Sequence, residues 1–396
     1  MTAFTEDDIR ARTRALIDEV GADASQVEFR SAQWDAGLAM VQYPEGKGGL
    51  GAPPKLQGVV QDELRAAGVT WESMMINPIG IGMGLPTVLT YGSDEMHDRY
   101  LKRIFTGEDI WCQMFSEPTH GSDVAGLASR AVRDGDEWIV NGQKVWTSLA
   151  HNSAYGMLLV RTNPDVPKHK GLSYFVLDMA SPGVEIRPLY QITGDAEFNE
   201  VFFTDVRVPH ENLLGEVGDG WRVATTTLMN ERVALGGSTA PRGSGTISIL
   251  ADLWAKRGPE LADGERRIMQ DRVARLWIEA EVMRLTTIRA RSNATTGNPG
   301  PEGSVGKLAS AELNQKIWNT AMDLLGPEAF LHESGYPLDR ARPSGFSTSK
   351  GFLRSQANTI EGGTSDIMRN ILGERVLGLP GDVRVDKDVA WKDIPT

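Results

Sequence analysis

Two stretches of the chain concentrate side chains that can meet a flat, heteroatom-bearing ligand. The first is Gln113-Met114-Phe115-Ser116-Glu117-Pro118-Thr119-His120-Gly121-Ser122-Asp123; the second is Asn141-Gly142-Gln143-Lys144-Val145-Trp146-Thr147-Ser148. The first reads as a strand entering a loop bent by proline and glycine, with backbone amides and the Ser116 and Ser122 hydroxyls pointing the same way. The second reads as a hairpin turning at Asn141-Gly142, because Asn-Gly supplies the positive φ values of a tight turn. Such a hairpin presents an indole, Trp146, beside a hydroxyl. Polar loop groups would satisfy the heteroatoms of a flat ligand while Trp146 covers a π-face. On these residues alone, a hairpin with ordinary turn glycines and a core tryptophan explains the pattern equally well.

Other chemistries find less support. The six histidines, His97, His120, His151, His169, His210 and His332, show no HxH, HxxxH or HExxH spacing, and Cys112 is the lone cysteine, so no metal site is expected. Gly80-Ile81-Gly82-Met83-Gly84 lacks the third glycine spacing and the preceding strand of a nucleotide loop, and reads as loop and turn glycines. No GxSxG nucleophile elbow occurs. Cys112, just before the first stretch, reads as a small buried packing residue.

The elements that must position these residues fall into three zones. From residue 1 to 109, apolar residues recur at helical spacing over Glu6–Val20, Ala24–Gly37, Lys55–Ala67 and Glu95–Thr106. From 110 to 218 the period shortens to that of strands, at 137–140, 144–147, 155–161, 172–178, 184–188 and 200–208, with turn residues between them. A parallel dinucleotide-binding sheet would need helices in those gaps, and none fits. From 219 to 396 the helical period returns over Trp221–Ser238, Thr246–Lys256, Gly264–Ser292, Val305–Leu325 and Asp366–Leu377, with a linker at Gly297–Gly303. The predicted fold class is therefore α+β: an N-terminal helical domain, a middle antiparallel β-domain and a C-terminal helical bundle.

Composition narrows the partners. Against 53 acidic residues stand 41 lysines and arginines, a net charge of −12 without a long basic run, which argues against nucleic acid. No stretch approaches the roughly 20 apolar residues of a membrane helix; the nearest, Met75 to Tyr91, is broken by Asn77, Pro78, Pro86 and glycines. Membrane insertion is not expected. The N-terminus lacks a cationic region followed by an apolar one, so no signal peptide is indicated and a cytoplasmic location is expected.

The order of these motifs resembles the acyl-CoA dehydrogenase family. The first stretch resembles its (T/S)EPxxGSD segment, and the second its NGxKxW(I/T)(T/S) segment. Asn199–Pro209 resembles the strand before its last domain, and Gly362-Gly363-Thr364-Ser365-Asp366-Ile367-Met368-Arg369-Asn370 its (E/G)GTSxIxR segment. The resemblance implies a C-terminal four-helix bundle and FAD, with flavin contacts at Gln113, Phe115, Ser116, Gly121, Ser122, Trp146 and Ser148 and a further one at Thr364. It implies removal of a proton from C2 of an acyl-CoA thioester by a carboxylate, with hydride passing from C3 to flavin N5, Ser122 near the thioester and an electron-transferring flavoprotein as acceptor.

In many members the base immediately precedes the GT of the last segment; here that position is Gly362, and Glu361 stands one residue earlier. A second group resembling isovaleryl- and long-chain acyl-CoA dehydrogenases places the base in a Glu-Arg pair. Glu231-Arg232 matches it, so Glu231 is the first choice of base, Glu361 the second, and Arg232 the residue orienting the CoA portion. The small Ala234, Gly236 and Gly237 that follow would leave room for a bulky, branched or steroid acyl group. Two segments that reach a neighbour's FAD, RxxFG and QxxGG, are missing, and Asp323 in the second region would repel a pyrophosphate. That pattern resembles larger subunits of actinobacterial α2β2 heterotetramers and also some homotetramers. A nitroalkane oxidase-like relative and an FAD-poor subunit are the alternatives.

Overall fold

The computed structural model describes residues 4–69, 76–235, 241–293, 302–331, 347–381, 383–384 and 386–394. Part of the Gly297–Gly303 linker, and Ser238 at the end of one predicted helix, lie outside them. The chain forms two compact units: one comprises Met1–Pro188, Phe198–Glu231 and Val385–Thr396, the other Leu189–Glu197 and Arg232–Arg384.

In the first unit the N-terminal helices and the sheet share a core. Thr5 begins the first helix, Glu6–Val20, with a capping box: its side chain accepts Asp8 N–H while the Asp8 carboxylate accepts the Thr5 N–H. Gln26–Asp35 and Gln57–Ala66 follow. Trp34, Ile81, Leu85, Tyr100 and Phe105 from helices pack with Trp111, Met157, Leu159, Tyr174 and Val176 from strands, all of them buried. Beside this shared cluster, the N-terminal helices keep a core of their own around Ile9, Leu16, Phe29, Leu38 and Val60, and the sheet another around Cys112, Val140 and Phe175.

Gly80–Gly84, read from sequence as loop and turn glycines, is instead a fully buried π-helical turn running into the helix Leu85–Tyr91. Here the absence of Cβ permits close packing: a Cβ on Gly80 would lie 2.3 Å from Asn77 Nδ2. Asn77 uses that proximity. Its amide donates to the carbonyls of Ile104 (3.1 Å) and Asp109 (2.9 Å), and its oxygen accepts from Gly80 N and Trp111 N. One buried side chain thus ties the helices to the first strand.

The strands are β1 Trp111–Met114, β2 Arg130–Asp134, β3 Glu137–Ser148, β4 Tyr155–Arg161, β5 Leu172–Asp178, β6 Val184–Leu189 and β7 Phe198–Pro209. Their order is β1-β4-β2-β3-β7-β6, with β5 against β4. The named pairings of β2–β3, β3–β7 and β4–β5 are antiparallel, whereas β1 runs parallel to β4.

The expected hairpin at Asn141-Gly142 is absent: 137–140 and 144–147 belong to one strand, β3, and the turn falls at Gly135-Asp136, where Gly135 has φ +64°. Asn141-Gly142 forms a bulge against β7, where the register shifts between Val140 and Gly142. The Asn141 side chain exchanges two hydrogen bonds with Asp205, and a Cβ on Gly142 (φ +150°) would lie 2.2 Å from Ser129 Oγ. Asn-Gly serves close approach between segments rather than reversal.

In the second unit, helices Thr246–Arg257, Asp263–Asn293 and Glu302–Leu325 close over Ile247, Leu250, Val273, Leu276, Leu313, Ile317 and Trp318. Thr348–Ser355, a short helix not expected from sequence, and Ser365–Arg375 pack on Glu302–Leu325. No described helix is long and apolar enough to cross a membrane.

Replacing Gly142 by alanine forces the Ser129 segment away from β3. The expected loss is about 2–4 kcal/mol of folding free energy, read from denaturant midpoints; an unchanged midpoint would show that the close approach is dispensable.

Candidate functional site

The loop after β1 is organised by a buried charge. Glu117 follows Phe115-Ser116, and its carboxylate accepts Ala128 N (2.7 Å), Ser129 N (2.9 Å) and Lys144 Nζ (2.9 Å). Lys144, fully buried on β3, also donates to Phe115 O at 3.0 Å. Val145 N donates to Ser116 O at 2.9 Å. The two chemistry-bearing stretches are therefore joined side chain to side chain and backbone to backbone. Burial works to raise the Glu117 pKa, but the Lys144 charge and the loop donors outweigh it and hold the carboxyl below its ordinary value. Burial pushes the Lys144 ammonium down to about 8, opposed by Glu117. Neither residue was singled out from sequence, although each stands inside one of the two motifs.

Trp146 occupies the second irregularity of β3, where the register shifts between Lys144 and Thr147. Its φ is +60°, a conformation L-residues avoid, and its indole is 58% exposed, touching Phe198 edge-on at 5.9 Å. The bulge turns a large aromatic face outward at a backbone cost of about 1–3 kcal/mol. Among the described residues, none hydrogen-bonds the side chains of Gln113, Ser116, Ser122 or Ser148, while Gly121 and Ser122 are exposed. Phe115 is buried, with its ring edge-on to Tyr174 at 5.7 Å. Cys112 is fully buried, its thiol pushed up to about 12 by burial, so it serves packing.

Tyr174 leads from this loop to the helix Gly220–Leu235. Its hydroxyl lies 3.2 Å from Thr227 Oγ1, which lies 2.9 Å from Thr87 Oγ1, all within the buried interior of the first unit. Glu231 stands four residues after Thr227, one helical turn further along, followed by Arg232; only their backbone is described. Gly236 and Gly237 lie outside the described residues.

Glu361 and Thr364 belong to the second unit. Arg354 grips both Glu361 oxygens, at 3.0 and 2.8 Å, and Asn358 Nδ2 donates to it at 2.7 Å. Thr364 caps the helix Ser365–Arg375 by accepting Ile367 N–H at 3.1 Å, which leaves its own hydroxyl proton free to donate. An open groove of about 640 Å³ beside Thr364 is also lined by Lys316 and Arg369, cations already held by Glu279 and Glu312. Asp323 pairs with Arg272 at 2.5 Å, so its charge is met inside this unit. Among the described residues no cluster of metal-ligating side chains occurs.

This chain belongs to the acyl-CoA dehydrogenase family: residues 1–108, 112–206 and 218–377 match the acyl-CoA dehydrogenase N-terminal, middle and C-terminal domain models. It is 39% identical over 374 residues to acyl-CoA dehydrogenase FadE34 of Mycobacterium tuberculosis, a match covering 94% of this chain and 49% of that protein, so it spans about half of that relative's length. Acyl-CoA dehydrogenase IpdE1 of the same organism is 36% identical, over 88% of this chain and 86% of its own. Among solved structures, the Tcur3481-Tcur3483 steroid ACAD is similar with a TM-score of 0.71 at 26% identity, covering 95% and 97% of the two chains. The ChsE4-ChsE5 complex from Mycobacterium tuberculosis gives 0.69 at 29% identity, covering 96% and 100%.

Replacing Glu117 by glutamine leaves Lys144 buried without its counter-charge and is expected to cost about 3–5 kcal/mol. Since Glu117 has a lowered pKa when folded, its contribution is present above the ordinary value of 4.5 and is lost as pH falls through the lower folded value. The gap in melting temperature between wild type and Glu117→Gln should therefore narrow on acidification through that range. A gap independent of pH would overturn this account of the pair.

Proposed function

We propose that this chain is an FAD-dependent acyl-CoA dehydrogenase that introduces an α,β double bond into an acyl-CoA thioester. The observation that carries the reading is Trp146, held outward at positive φ on the strand tied to the Phe115–Glu117 loop, together with the side chains of Gln113, Ser116, Ser122 and Ser148, which hydrogen-bond none of the described residues. With Phe115, Gly121 and Thr364, these are the residues that would hold the flavin. A bound flavin supplies the hydride acceptor at N5. The proposed domains run over residues 1–109, 110–218 and 219–396.

Glu231 is the proposed base at substrate C2. The bidentate Arg354 pair supports this choice over Glu361, because a carboxylate already bound at both oxygens must break charge-assisted hydrogen bonds before taking a proton. Thr227, one helical turn before Glu231, is buried and bonded to the Tyr174 and Thr87 hydroxyls, which fixes that part of the helix against the first unit. Ser122 and Arg232 would meet the thioester and the CoA portion. Glu231→Gln should retain bound flavin yet lose anaerobic bleaching by acyl-CoA by at least about a hundredfold in rate; unimpaired bleaching would refute the assignment. Bleaching by nitroalkanes alone would favour the altered-chemistry alternative.

A branched or steroid side-chain acyl group is the proposed substrate class, supported by the similarity to a steroid ACAD. Assembly as a homotetramer or an α2β2 heterotetramer is supported by the paired names of two similar structures. Exposed Ile278, Val282 and Leu285 on the Asp263–Asn293 helix fit such assembly. An electron-transferring flavoprotein as acceptor and a cytoplasmic location complete the reading. The chain expressed alone should carry about one FAD per subunit as a tetramer if self-sufficient; flavin-poor or unstable protein would instead indicate a second subunit.

A further inference from the structure

We propose that the segment Asp386–Ile394 is a strap that sets the conformation of the Gly121–Ser122 loop, with Trp391 as its positioning residue. The segment lies beyond residue 377, where the family C-terminal domain match ends, yet it belongs to the first unit, with the sheet. Its backbone is fixed by Trp391 N donating to Val166 O (2.9 Å), Lys392 N donating to Pro164 O (3.1 Å) and a bridge between Ala390 and Pro167. Lys392 pairs with Asp165 at 2.7 Å.

From that seat the strap reaches the loop at two points. Trp391 Nε1 donates to Gly126 O at 2.9 Å. Lys168 Nζ is shared between Asp386 of the strap, at 2.6 Å, and Asp123, at 2.9 Å; Asp123 directly follows Gly121-Ser122. A third side chain reinforces both contacts. Arg161, almost fully buried, donates to Ala125 O (2.7 Å), Leu127 O (3.1 Å) and Lys168 O (3.1 Å), and its guanidinium lies 4.3 Å from the centre of the Trp391 ring. Three consecutive loop carbonyls, Ala125 to Leu127, are thereby held by Arg161 and Trp391.

The loop is thus fixed at both ends. Glu117 is held by Lys144 and by the amides of Ala128 and Ser129, and Asp123 to Leu127 by the strap and its two cations. Gly121 and Ser122 are the exposed span between those anchors. Without the strap, the Glu117 end remains anchored while the carbonyls of 125–127 lose a donor and the aromatic face under Arg161. The effect should therefore be local to the loop and should appear in ligand affinity before global stability. The affinity consequence rests on the flavin reading; the loop conformation does not.

The test compares wild type, Trp391→Ala and Trp391→Phe as full-length chains, by hydrogen exchange of peptides covering 117–129 against peptides from β5, and by FAD titration of apoprotein. Trp391→Ala should speed exchange in 117–129 while leaving β5 protected, and should weaken FAD binding about tenfold, the factor one hydrogen bond to a loop carbonyl supplies. Trp391→Phe keeps a ring under Arg161 and should recover part of both. Should Trp391→Ala fail to fold, Asp386→Asn supplies the same comparison by weakening the Lys168 bridge. Unchanged exchange in 117–129, or protection lost equally in β5, would overturn the proposal. A wild type that binds no FAD would refute the flavin reading, while the exchange comparison would still decide on the strap.

Discussion

The candidate site of the first unit depends on one buried ion pair. Glu117 and Lys144 are 27 residues apart, and their contact converts a loop and a strand into a single rigid edge. Two charges in an apolar interior are costly, and the cost is met only because each has further partners: loop amides for the carboxylate, a loop carbonyl for the ammonium. Those further partners define the loop's path. Phe115 O, Ala128 N and Ser129 N all reach the pair, so the loop is pinned where it leaves β1 and again where it enters β2. Hydrophobic packing alone would permit the loop several courses.

Much of this arrangement was legible in the sequence. The long amphipathic periods of Glu6–Val20 and Asp263–Asn293 and the short β-rich runs identify their elements because burial on one face imposes a period. The motifs resemble the family's segments, and the matches to its three domain models bear that resemblance out. Features set by tertiary contact were not legible. Asn141-Gly142 suits a turn or a bulge equally, and the choice falls to Ser129 packing against Gly142 and to Asp205 bonding Asn141. Buried helical glycines such as Gly80 resemble loop glycines until Asn77 is seen beside them. Thr348–Ser355 is short and contains Gly351, whose missing Cβ admits the Trp318 ring. The Asp386–Ile394 segment has no apolar period, since its attachment is through backbone hydrogen bonds, one indole and two charges.

The candidate base illustrates a different division between sequence and structure. Motif position offers both Glu231 and Glu361, and the contacts of Glu361 count against it as the base. Glu361 is engaged by Arg354 and Asn358, an arrangement suited to shaping the turn before the Ser365–Arg375 helix. Gly362 and Gly363, both at positive φ, complete that turn and bring Thr364 into its cap position. A carboxylate that holds a turn together is poorly suited to shuttling a proton.

Trp146 has a consequence for how this chain can change under selection. Its strained backbone would relax with glycine, and its exposed ring adds little to the core, so selection for thermal resistance alone would remove the indole. On the proposed reading, a flavin resting on its face supplies the benefit that keeps tryptophan there. Position 146 therefore separates two pressures, one toward a firmer fold and one toward a ligand, and the residue found there records which has prevailed.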